Sequence, residues 1–208
     1  MNNQGKAMVF AAGILIAGCS PLAPRQDYSK FFVLTALSDH ANPTPPAAPD
    51  SRLAIGIGPI DFPDYLKRLE VVTRATPNRL DVSPVDRWGE PLDKNFERVL
   101  AENLAQLVHT DRVEKYPWSR RTPIDYQIVI SVERFETTAD GQSQLNARWI
   151  IKDGVTGKDL YASETIAAAP AIAGDGSVAT ALSKDLGTLS SDIASRINAL
   201  SERRRSES

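Results

Sequence analysis

Four carboxylates crowd one short stretch of this 208-residue chain: Asp86, Glu90, Asp93 and Glu97, beside Arg87 and Trp88. Two carboxylates such as Asp86 and Glu90 could serve as acid and base in glycoside hydrolysis. The same residues also have a simpler use. Pro91 suits the first turn of a helix, where its missing N–H costs nothing. Glu90 and Asp93 would place negative charge at the positive end of that helix. Leu92, Phe96, Val99, Leu100, Leu104, Leu107 and Val108 then recur at helical spacing and predict one apolar face. Asp86, Arg87 and Trp88 read as the loop before this helix, broken at Gly89.

Other chemistry is sparse. The chain has two histidines, so a histidine-rich metal site is not expected. A Ser/His/Asp triad would need His40 or His109. His40 adjoins a Pro-rich stretch, and His109 ends the predicted helix. No H-E-x-x-H, G-x-S-x-G, C-x-x-C or P-loop pattern occurs. Gly174-Asp175-Gly176-Ser177-Val178-Ala179 matches a dinucleotide-binding turn, but that mechanism needs a further strand after the helix. Here the chain ends after the helix. Arg120 and Arg121 beside Trp118 could hold an anionic head group or a partner's carboxylate, or form a solvated turn.

The N-terminus carries a clearer signal. Residues 1–18 read as a secretion signal, with Lys6 ahead of an apolar run too short to span a bilayer. It closes on Leu15-Ile16-Ala17-Gly18-Cys19-Ser20, which resembles a bacterial lipobox. Cys19 is the only cysteine, so no intramolecular disulfide can form. Lipidation explains a lone thiol in a secreted chain. The expected modification is covalent: diacylglycerol and an N-acyl chain on Cys19, with no other cofactor. By resemblance to Gram-negative lipoproteins, Ser20 rather than Asp after the cysteine implies sorting to the outer membrane. A formal charge of −2 gives no general pull toward nucleic acid.

These sites must be positioned by the rest of the mature chain. Residues 19–50 read as a lipidated tether, a first short strand at Phe31-Phe32-Val33-Leu34, and a Pro-rich loop. That loop, 42–50, is expected to set the distance from the membrane. Residues 51–202 read as one α/β domain. Leu53 to Ile57 forms a buried strand, and two short strands flank Pro77-Asn78. Arg112 to Tyr116 forms another strand. Ile124, Tyr126, Ile128, Ile130 and Val132 alternate with polar positions and give the strongest strand signal. Turns at Ala139-Asp140-Gly141 and Asp153-Gly154 extend it into an antiparallel meander. Val178, Leu182, Leu186, Leu189, Ile193, Ile197 and Leu200 form the stripe of a second helix. Ser201 to Ser208 are expected to fray, with 203–208 as a charged tail.

Several motifs together carry a family resemblance. They are Gly58-Pro59-Ile60 with Pro63-Asp64-Tyr65-Leu66, the run from Asp86 to Leu92, and Arg98 to Leu104. Pro117-Trp118 and Arg134-Phe135-Glu136 add to them. On these the chain resembles the ABC-type transport auxiliary lipoproteins. The resemblance implies a three-layer α/β domain with a mixed, mostly antiparallel sheet and two long amphipathic helices, similar to the anticodon-binding or TolB N-terminal arrangement. It implies an outer-membrane lipoprotein facing the periplasm, a partner with a mammalian-cell-entry (MCE) domain that spans the envelope, and a ring-forming homo-oligomer. It implies a role in lipid transport and membrane integrity, and no catalytic residues. Asp86, Arg87, Trp88, Tyr65 and Trp118 are then candidates for loop, oligomer or partner contacts. The competing readings are a periplasmic hydrolase using Asp86 and Glu90, and a peptidoglycan-associated structural lipoprotein.

Overall fold

The structure is a computed structural model, and it describes residues 28–37, 53–119, 121–172, 174 and 176–207. The elements run β1 (Lys30–Phe32), β2 (Ile55–Asp61), β3 (Glu70–Thr76), β4 (Arg79–Trp88), α1 (Leu92–Val108), β5 (Val113–Lys115), β6 (Tyr126–Thr138), β7 (Ser143–Asp153), β8 (Asp159–Ala167) and α2 (Ser177–Ser206).

The strongest alternation in the sequence becomes the axis of the sheet. One edge of β6 carries β7, and β7 carries β8, both antiparallel, as the meander predicted. The other edge of β6 is shared. β2 runs parallel beside Tyr126 to Ser131, with β5 outside it. β3 runs parallel beside Thr137 and Thr138 only. β4 and then β1 lie beyond β3. The result is an open eight-stranded mixed sheet in which the long ladders are antiparallel.

The connection from β2 to β3 fills the gap where the edge divides. A 3-10 turn at Asp64–Leu66 sits there, with Phe62 and Leu66 buried. Phe62 meets Phe96 of α1 and Phe135 of β6 edge-on, at 5.1 and 6.3 Å, and Phe96 meets Phe135 at 5.2 Å. Such edge-to-face contacts add to the burial of large rings. A register shift between Val132 and Arg134 turns Phe135 onto the face that Ile128, Ile130 and Val132 began.

Both helices cover this one face, side by side. Asn103 Nδ2 of α1 donates to Ser190 Oγ of α2 at 3.0 Å, deep between them. The class, the mixed sheet and the two amphipathic helices match expectation. The described helices lie in one layer, because each has one apolar stripe and the two stripes share one core.

Three local expectations also change. Asp86, Arg87 and Trp88 are not a loop; they end β4 and pair with β1. The helix after Gly176 does not fray at Ser201 but continues to Ser206. Its last turn is tied to the sheet, where Arg204 donates to Asp153 Oδ2 at 2.5 Å and lies 5.2 Å from the Tyr126 ring centre. Residues 30–37 belong to the folded unit, since β1 joins the sheet and Leu34 and Ala36 are buried.

Candidate functional site

Asp86 and Glu90 face different partners. Ser83 Oγ donates to Asp86 Oδ2 at 3.0 Å and accepts the Asp86 N–H at 2.9 Å. Glu90 Oε1 takes two hydrogen bonds from Arg98, at 3.2 and 3.0 Å, and Arg98 also reaches Glu102 at 3.1 Å. Lys94 pairs with Glu97. The cluster is thus divided among local ion pairs of the kind that stabilise a helix start. Asp86 and Trp88 do line a cleft, with Phe32, Val71, Gly176 and Ser177, but its volume is about 100 Å³ and Glu90 is not part of it. Pockets that take small-molecule ligands run from roughly 300 Å³ upward. Among the described residues no group of three His, Cys, Asp or Glu could hold a metal ion.

Trp88 is 3% exposed and belongs to the core. Its N–H donates to Leu69 O at 2.6 Å, fastening β4 to the turn before β3. Arg87 stands opposite Phe31 and Glu70 across the two neighbouring strands, and its Nε is buried without a hydrogen bond.

Tyr65 sits in a buried polar knot that the sequence did not reveal. Its hydroxyl donates to Glu136 Oε2 at 2.8 Å. Arg74 Nε donates to Glu136 Oε1 at 2.6 Å, and Arg74 Nη2 donates to the Tyr65 oxygen at 3.2 Å. The Glu136 side chain is fully buried. Burial, then the neighbouring Glu136 carboxylate, pushes the Tyr65 hydroxyl up to about 12. The knot ties the 3-10 turn to β3 and β6 where the sheet edge divides. Arg134-Phe135-Glu136 and Tyr65 were both visible as family motifs; Arg74 carried no such signal.

Trp118 lies near the opposite edge of the sheet, past β5. Its ring covers Gly56, where a Cβ would come within 2.6 Å of the indole, so only glycine permits this approach. Tyr116 meets it edge-on at 5.6 Å. The structure therefore gathers Asp86, Arg87 and Trp88 at the β1–β4 edge and leaves Tyr65 and Trp118 elsewhere. Cys19, His40 and the Pro-rich loop lie outside the described residues. His109 caps α1 in a left-handed conformation, with φ 55°. Gly176 precedes α2 with φ 78°, and no strand follows that helix among the described residues.

A second feature went unread in the sequence. Residues 34–37 cross both helices as a strap. The Leu34 N–H donates to Asn95 Oδ1 at 3.1 Å and the Leu37 N–H to Asn103 Oδ1 at 2.8 Å, both on α1. The Thr35 N–H donates to Ser183 Oγ on α2 at 3.0 Å. Leu37 presses on Gly187, where an added Cβ would stand 2.9 Å from Leu37 Cδ2. Asn95 and Asn103, two turns apart on one face, are the sequence trace of the strap.

The model of the family described as the ABC-type transport auxiliary lipoprotein component matches residues 34–194. Among solved structures, a Xanthomonas campestris protein of family DUF330 is 17% identical, with a TM-score of 0.67 over 86% of this chain and 100% of that one. A second crystal structure, of an uncharacterized protein, is 16% identical, with a TM-score of 0.65 over 81% of this chain and 98% of that one. At these identities the likeness is one of fold. No curated protein matches the sequence. The chain belongs to the ABC-type transport auxiliary lipoprotein family.

Proposed function

We propose that this member of the ABC-type transport auxiliary lipoprotein family is a non-enzymatic docking subunit, anchored in the outer membrane through Cys19 and facing the periplasm. It receives an envelope-spanning MCE-domain partner and works as a homo-oligomeric ring in intermembrane lipid transport. The observation that carries this reading is the strap. The domain begins at β1, so the spacer after Cys19 is the short stretch 20–29, and the Pro-rich stretch 42–50 lies beyond the first attachment point. Nine residues from Cys19 to Tyr28 reach at most about 30 Å when extended. The anchor thus holds the folded domain close to the membrane surface. One acyl chain gives marginal membrane binding and several give stable anchoring.

The sheet supports assembly with other chains. It is open, and β1, β5 and β8 are its edges. Tyr28, Phe31 and Val33 are exposed around β1. Sheet edges bearing exposed apolar side chains are ready contacts for another chain.

Metabolic labelling with a fatty acid, followed by separation of inner and outer membranes, tests the anchor. The wild-type chain takes up label and sediments with the outer membrane, and Cys19→Ala does neither. Equal labelling of the variant, or wild type in the soluble fraction, contradicts the reading.

A further inference from the structure

A cleft of about 310 Å³ opens between the edge strand β8 and α2, lined by Trp149, Tyr161, Ser163, Asp192, Ser195 and Arg196. Asp192 and Arg196 are one helical turn apart. At that spacing an aspartate and an arginine ordinarily pair and cancel. Here each is held by the sheet instead. Trp149 Nε1 donates to Thr165 Oγ1 at 3.0 Å, and Thr165 Oγ1 donates onward to Asp192 Oδ2 at 2.7 Å. The Arg196 guanidinium lies 3.9 Å from the Tyr161 ring centre and donates to the Tyr161 oxygen at 3.1 Å.

This arrangement leaves binding capacity on both charges. Asp192 keeps one carboxylate oxygen without a protein partner, and Arg196 forms no ion pair within the described residues. An arginine has five N–H donors, so most of those on Arg196 stay available. The Ser163 and Ser195 hydroxyls make no hydrogen bond within the described residues. One wall therefore accepts and the other donates, with two hydroxyls between them.

We propose that this cleft binds a small zwitterion, with its primary ammonium received by Asp192 and its phosphate or carboxylate by Arg196. A simple anion would meet the Asp192 charge, and a simple cation would meet Arg196. Only a ligand carrying both groups satisfies both walls. An aminoethyl phosphate, free or as a lipid head group, and an amino acid share this chemistry. The site shares no residue with the strap and does not depend on the docking role.

The test is isothermal titration of the full chain in detergent with O-phosphoethanolamine, ethanolamine, ethyl phosphate and glycine. O-phosphoethanolamine binds at least roughly tenfold more tightly than ethanolamine or ethyl phosphate, since each charged hydrogen bond contributes about that factor. Asp192→Asn removes the advantage over ethyl phosphate, and Arg196→Gln removes the advantage over ethanolamine. Both residues are exposed, so these variants keep the fold. Competition by phosphatidylethanolamine but not by phosphatidylcholine, each supplied in mixed micelles with the same detergent, makes the occupant a lipid head group. Glycine binding with the same response to the variants makes it an amino acid. The proposal is overturned if no zwitterion binds, or if both variants leave the preferences unchanged.

Discussion

Two buried carboxylates show opposite solutions to the same cost. The buried Glu136 carboxylate is met by three donors: Arg74, the Tyr65 hydroxyl and the Phe135 N–H. Removing one partner of a buried ion pair leaves an uncompensated charge, which typically costs 3–5 kcal/mol. Arg74→Met is expected to lower unfolding free energy by about 3 kcal/mol in denaturant titration, and adding Glu136→Gln should restore part of it. An unchanged midpoint for Arg74→Met would show that the knot adds no stability. Asp185 of α2 has no arginine. Burial pushes its carboxyl up to about 6 from the ordinary 3.8, and its Oδ2 has no partner. Between those values the folded state holds the proton more tightly than the unfolded chain. Stability contributed by protonated Asp185 is therefore present below pH 4 and lost as pH rises through 6. Asp185→Asn should raise stability at pH 7 by about 2–3 kcal/mol and flatten the slope between pH 4 and 6. A variant with the wild-type slope would rule Asp185 out as its source.

At the level of elements, the strap matters most. Its backbone N–H groups are held by the side chains of Asn95, Asn103 and Ser183 on the helix pair. Asn103→Leu removes both the bond to Leu37 and the bond to Ser190. A loss of about 1–3 kcal/mol is expected from the Leu37 N–H left unpaired, since Ser190 Oγ still donates to Leu186 O. Proteolysis near residues 34–37 should also rise sharply. If the strap stays protected in that variant, apolar burial of Leu34 and Ala36 is what holds it. The strap explains why part of the fold was hard to read from sequence. Regular elements announce themselves by period: the alternation of Tyr126 to Val132 and the stripe of Leu92 to Val108 fold as expected. The strap has no period, and its asparagines look like polar interruptions in α1. The lower half of β6 was hidden because its register shift changes which residues point inward. The charged end of α2 looked solvated because Asp153 and Tyr126, its partners, are remote in sequence.

For the molecule as a whole, the acidic stretch from Asp86 to Glu97 builds structure. Its carboxylates pair locally, and its tryptophan is core. On the proposed reading, function rests on placement: an anchor at Cys19, a short spacer, a strap that ties β1 to the helix pair, and a sheet whose edges can meet other chains. The most direct measurement is affinity capture of the full-length chain from detergent-solubilised envelopes, with bound proteins identified by mass spectrometry. An MCE-domain protein should be recovered with the wild-type chain, and its yield should fall with Cys19→Ala, which no longer reaches the membrane. Recovery of the intact, lipidated chain with no MCE-domain protein bound would contradict the docking role.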